Sequence, residues 1–268
     1  MILFVFEGDR ECPVFETIQR LFFPKEIDPF ICVYKSNIYS LYSKIKEHDL
    51  IGGQEEVDTL SVLEDILSRQ GDTSLSGIRP SDISEIFLFF DYDFHHSRGT
   101  LKENNAHLKE LLEYFDDETE RGKLYINYPM IESLRYTKLL PDRDYPSYTV
   151  RREECRNFKR IASDFSAYES LDHLILSDNP KEAEEKRKRK TGEARKNWCH
   201  LIEMNVHKAN HICNGVISYP ENKNDISQMR VFEAQIEKHV SVPECRVSIL
   251  NSFPIFIYDY LRENPAGI

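Results

Sequence analysis

At 268 residues, with 40% hydrophobic and 30% charged side chains, the chain has the size and balance of a globular protein that buries a substantial core. No stretch approaches the roughly 18 uninterrupted apolar residues of a membrane span, so the expectation is a soluble, cytoplasmic protein with no membrane partner. A net charge of −11 excludes nucleic-acid binding through overall attraction. It leaves room for a local basic groove, or for a site where metal ions neutralise clustered acids.

The chain opens on MILFVF, a short apolar run that is bounded by Gly8 and reads as a buried strand. It has no basic leader and no small-residue cleavage site, and it runs at once into Glu7, Asp9 and Glu11, so it is expected to be structure and not a secretory signal. Pro13 suits the first turn of a helix in which Val14, Ile18, Leu21 and Phe22 recur at helical spacing. Phe30 to Tyr34 reads as a second strand, followed by helices over Ile38 to Ile45 and Val57 to Leu67. Ile86 to Phe90 is the most apolar strand candidate, and it runs into Asp91, Tyr92 and Asp93 and then a polar loop through His95, His96, Ser97, Arg98 and Gly99. Leu108, Leu111, Leu112 and Phe115 mark a helix, and Leu124 to Ile126 a fourth strand that precedes Tyr128, Pro129 and Glu132. Strands alternating with helices imply an α/β domain with a parallel sheet flanked by helices.

From Pro141 the composition turns polar (PDRDYPSYTVRREE), which places a boundary near 140 to 150. The expected organisation is a catalytic domain over 1–145 and a mainly helical extension over 146–268 that binds substrate, dimerises or docks a regulator. Within it a helix runs from about Pro180 to Cys213, stopped by Gly215. The segment Arg246 to Leu261 has an ambiguous period and is expected to be helical. Six cysteines without paired CxxC spacing are expected to be reduced thiols.

The acids carry the chemistry. In a parallel sheet the loops after the strands gather at one edge, where ligands bind. Glu7 ends the first strand, Asp91 and Asp93 end the central one, and Glu132 follows the fourth. If the central strand continues through both aspartates, they point to one face. Glu11, four residues after Glu7, returns to the same side on the first helical turn. Carboxylates this close either take up protons or hold a cation. Mg²⁺ or Mn²⁺ is the expected one, because it prefers oxygen ligands and can activate water on a phosphodiester. Taken singly, each acid is as readily a solvated loop residue or a helix cap.

The Glu7-Gly8 pair after the first strand and Asp91-Tyr92-Asp93 after a later one resemble the Toprim family, the metal-binding α/β domain of topoisomerases, DnaG-type primases and small nucleases. Glu7-x-x-x-Glu11 looks like the variant found in OLD-family nucleases, and Glu132 is similar in placement to a further acid of nuclease-type members. Phe94-His95-His96 stands where topoisomerases and primases often carry an acid and a glycine, so the resemblance favours a nuclease. It spans roughly residues 1 to 140. It implies Asp91 and Asp93 as metal ligands, Glu7 as ligand or general base, and Glu11 and Glu132 completing one or two metal positions. It further implies an anti-phage effector of the PARIS type that cuts DNA or RNA, tRNA included, beside an ABC-type ATPase regulator, with a homodimer as one arrangement.

Among the remaining features, His95 and His96 are candidates for contacting a scissile phosphate. Lys208 is a candidate for facing the acidic site and binding a phosphate. The basic run Lys186 to Lys190 reads as a phosphate contact or as a solvated helix face paired with Glu182, Glu184 and Glu185. His207 and His211 have the i, i+4 spacing of a zinc pair but lack a matching second cluster. The expected function is a divalent-metal-dependent endonuclease. The alternatives are a nucleotide-processing phosphotransfer enzyme and a non-catalytic binding module.

Overall fold

The computed structural model describes residues 1–24, 27, 29–52, 58–166, 174–176 and 183–261. Its centre is a five-stranded sheet of order β2-β1-β3-β5-β4, formed by β1 (Ile2–Phe6), β2 (Phe30–Val33), β3 (Glu85–Asp91), β4 (Asp116–Asp117) and β5 (Gly122–Asn127). The four longer strands run parallel, with Phe6 opposite both Val33 and Phe89, and Asp91 opposite Asn127. The two-residue β4 pairs antiparallel at the edge. β1 is buried at every position, as a strand covered on both faces requires.

The strand order decides where the helices go. The chain steps from β1 to β2 in one direction and from β2 past β1 to β3 in the other, so right-handed crossovers put α1 (Glu11–Phe22) on one face. The same rule puts α2 (Ile38–Gly52), α3 (Thr59–Arg69) and α4 (Leu101–Tyr114) on the opposite face. Helix α2 packs on both α3 and α4 there. These elements follow the sequence reading closely, with α2 running one turn and more beyond Ile45. The expected start of α3 at Val57 lies outside the described residues.

The second half of the chain closes the first. The segment from Pro141 is not a linker: Tyr145 and Val150 are buried, and β6 (Thr149–Arg151) pairs antiparallel with β7 (Arg246–Ser248). A 3-10 turn over Arg152–Asn157 leads into α5 (Phe158–Phe165). Helix α6 (Glu184–Asn214) ends at Gly215, whose φ of +79° is the left-handed cap that glycine tolerates. Its expected beginning at Pro180 falls outside the described residues. Helix α7 (Gln228–Gln235) packs on α4, β5 and α6.

The terminal segment corrects the expectation of one helix: β7 comes first, then a bend, then α8 (Ser252–Tyr260). An apolar run that is half strand and half helix has no single period, which is why the pattern was ambiguous. Helix α8 covers the same face of the sheet as α1. Phe253 stacks on Phe89 at 4.4 Å, and Phe256 meets Phe4, Phe87, Phe89 and Tyr125 edge-on at 5.0 to 5.8 Å. Edge-to-face pairs of this kind stabilise beyond the area they bury.

Candidate metal site at the strand-order reversal

Strand order reverses between β1 and β3, and in open parallel sheets that crevice is where ligands bind. Glu7 and Asp91 sit on its two sides. The Glu7 amide donates to Phe89 O at 3.1 Å, continuing the strand pairing, while its carboxylate accepts from the Asp91 amide at 2.9 Å. Glu11 lies in the first turn of α1 and is 3% exposed. Its Oε2 is buried and has no hydrogen-bond partner.

Glu132 is carried by a 3-10 turn over Ile131–Arg135, which the C-terminal half holds in place. The Asn251 side-chain amide donates to Ile131 O at 3.2 Å and to Ser133 Oγ at 3.0 Å, and Ser133 Oγ bonds Leu250 O at 3.2 Å. Arg10 reaches across to pair with the Glu132 carboxylate. Asn127, opposite Asp91 on β5, donates to Asp91 Oδ1 at 3.2 Å and accepts from the amide and hydroxyl of Ser252 at 3.1 and 2.8 Å. One side chain thus couples the start of α8 to the central aspartate.

The electrostatics show which acids share a field. Burial drives the Glu7 carboxyl up to about 8 against the pull of the Asp91 amide, with Asp93 and Glu11 adding to the rise. Burial likewise lifts Glu11 to about 7, with its own amide opposing and Glu132 adding. Asp91 stands well above the carboxylate range through burial, then through Glu7, Glu11 and Glu132, with Asn127 opposing. Glu7, Glu11, Asp91 and Glu132 thus lie close enough to act on one another's charge.

Asp93 reaches the cluster differently from the expectation. Strand β3 ends at Asp91, and Asp93 has a φ of +49°, so the strand does not continue through it. A left-handed turn redirects it towards Glu7, whose carboxyl feels its charge. Burial raises Asp93 while His95 and His96 lower it, which puts both histidines beside it. His96 stacks on Tyr39 at 4.5 Å, and His95 Nδ1 is buried without a partner.

Lys208 is a correction. It is fully buried in α6, donates to Tyr145 O at 2.8 Å and Tyr148 O at 2.7 Å, and packs over the Tyr145 ring. Burial alone pushes its ammonium well below the usual range, and no acid of the cluster acts on it. It ties α6 to the Tyr145–Ser147 turn and does not face the acids. The basic run is exposed, with Lys188 paired to Glu184 at 2.7 Å and Arg189 to Glu193 at 3.8 Å along the helix, while Glu182 lies outside the described residues. His207 packs edge-on against Tyr219.

Among the described residues no group of three or more His, Cys, Asp or Glu is set to hold a metal ion as the side chains stand. Two of the acids have protein partners: Arg10 pairs with Glu132, and the Asp91 amide donates to Glu7. The donor set nevertheless fits a hard divalent cation. It is all carboxylate oxygen, it is buried, and the orphaned Glu11 Oε2 lacks the partner a buried oxygen requires. Sequence reasoning missed Asn127 and Arg10. Neither residue type signals a metal site, and their roles exist only once β3, β5 and the Glu132 turn are adjacent.

The chain matches no protein-family model, and comparison with curated proteins and with solved structures finds no match.

Proposed function

We propose that this protein is a divalent-metal-dependent nuclease of Toprim type, hydrolysing phosphodiester bonds of DNA or RNA. The observation that carries the reading is the set of acids at the crevice between β1 and β3: Glu7 bonded to the Asp91 amide, and Glu11 and Glu132 buried beside them, with a Glu11 oxygen that has no hydrogen-bond partner among the described residues. A structural salt-bridge network would pair such acids with cations. Among the described residues Arg10 is the one cation bonded to them, through Glu132, and the remaining acids act on one another.

Glu7, Glu11, Asp91 and Glu132 are the residues that would hold Mg²⁺ or Mn²⁺, with Asp93 beside Glu7. Such an ion supplies Lewis-acid stabilisation of charge at phosphorus and lowers the pKa of a bound water. Glu7 is the acid that serves either as a ligand or as the general base. Asn127 donates to the Asp91 carboxylate, and Arg10 pairs with Glu132. His95 and His96, beside Asp93, would meet a phosphate oxygen. Control by an ABC-type ATPase, assembly as a homodimer and a role in anti-phage defence belong to the same proposal through the Toprim resemblance.

The test is cleavage of plasmid, single-stranded DNA, tRNA and mononucleotides by the purified chain in Mn²⁺ or Mg²⁺, beside chelated samples and an Asp91→Ala variant. One class of polymer is expected to be cut only with metal, with activity lost by at least about 10³-fold in the variant. Undiminished turnover in chelator or in Asp91→Ala would refute the assignment.

A further inference from the structure

A second feature adjoins the acids from the far side of the His95 loop. A solvent-open cleft of about 800 Å³ is lined by His95, Ser97, Arg151, Arg152, Arg156 and Cys245, among others. Its wall is the β6–β7 pair, locked by the Arg152 amide donating to Cys245 O at 3.1 Å. Three guanidinium groups within six positions face one groove of a protein whose net charge is −11.

These charges are poorly neutralised from within. The two acids on the groove are Glu153, which approaches Arg151 only to 3.8 Å, and Glu244, which is held by Arg246. Arg156 is exposed and has no ion-pair partner among the described residues. Arg152 plays another part: its Nε donates to Phe94 O at 3.0 Å and its second nitrogen to His96 O at 3.4 Å. It therefore fastens the loop that follows Asp93 to the groove wall, and the groove begins where the acidic cluster ends. His95 belongs to both, lining the cleft while its charge acts on Asp93.

We infer that this groove grips the backbone phosphates of a nucleic acid on one side of the bond to be cut, with Arg151 and Arg156 as phosphate contacts and Arg152 as a positioning residue. The inference rests on the nuclease reading and adds the track along which the substrate lies. Guanidinium forks bind phosphate oxygens in bidentate fashion and carry no sequence information, so the groove recognises a polyanionic backbone and not particular bases. The groove is open to solvent, which suits a polymer entering and leaving better than an enclosed mononucleotide.

The experiment measures affinity of the full-length Asp91→Ala chain for labelled single-stranded DNA, duplex DNA and a stem-loop RNA, in chelator, over a salt series. Adding Arg151→Ala and Arg156→Ala is expected to weaken binding of the preferred polymer at least about tenfold, and to reduce the salt slope by about 1 to 2. A charge-matched control, Lys186→Ala with Lys188→Ala, is expected to leave both unchanged. Equal loss in the control, no loss in the arginine variant, or equally tight binding of polyglutamate would overturn the groove. Cleavage by the native background separates the two readings. Metal-dependent cutting that survives both arginine changes with unaltered KM removes the groove and keeps the nuclease, whereas a chain that neither binds nor cuts any polymer removes both.

Discussion

Burying an ionised carboxylate without a partner is costly enough that the group holds a proton or a cation. Glu7 is raised from 4.5 to about 8 and Glu11 from 4.5 to about 7, in both cases first by burial. The folded chain thus binds these protons more tightly than the unfolded chain, and linkage fixes the sign. Their contribution is fully present below pH 4.5 and is lost as the pH rises through about 7 to about 8. In chelator, a Glu7→Gln/Glu11→Gln variant should therefore melt close to the native chain near about pH 5 and several degrees above it near about pH 8. Thermal melts across that range check this, and parallel curves for the two proteins would show that the acids are not strained. Mn²⁺ should raise the native melting temperature at the alkaline end and leave the variant nearly unmoved, because a ligand that binds only the folded state stabilises it.

Helix α8 shows how one element both completes the core and supports the site. Phe256 fills the space between four aromatic rings of β1, β3 and β5, and Asn251 and Ser252 at its start bond the Glu132 turn and Asn127. Phe256→Ala should cost about 3 to 5 kcal/mol, read as a lowered urea midpoint with an unchanged slope. A loss under about 1 kcal/mol would mean that α8 does not seal the sheet. The α/β sheet and its crossovers were legible because β1 and the centre of β3 are continuous apolar runs, β5 carries Leu124 to Ile126, and α1, α3 and α4 carry 3.6-residue periodicity. The two-residue β4 and the three-residue β6 and β7 were not, since strands that short leave no period. At the site, the positions of Glu7 and Asp91 were legible because each stands at the end of a strand, whereas Glu132 sits on a turn that Asn251 holds. Lys208 was misread because an isolated helix does not reveal which face a neighbouring turn will cover. The arginine groove was missed because RREECR shows only as a polar change of composition until β7 pairs with the adjoining β6.

At the scale of the molecule, the two halves of the chain share one buried core that runs from Ile2 to Tyr258. A boundary at 145 would separate the sheet from α8, leaving the Phe4, Phe87, Phe89 and Tyr125 face uncovered opposite the ring stack that Phe253 and Phe256 supply. Aromatic side chains of this size each bury about 150 to 250 Å², so the exposed patch would exceed what a soluble monomer tolerates. Residues 1–145 expressed alone should therefore aggregate, or show helical and strand signal without a cooperative melt, and should bind Mn²⁺ weakly. Circular dichroism melts and manganese titration of the fragment check this. A fragment with a sharp transition would support the division read from composition. The coupling has a consequence for the site as well. Glu132 depends on Asn251, and Asp91 on Asn127 and through it on Ser252, so the carboxylates converge only when the last helix is in place. A set of acids supported from both ends of the chain is therefore incomplete in any form of the chain in which α8 is undocked.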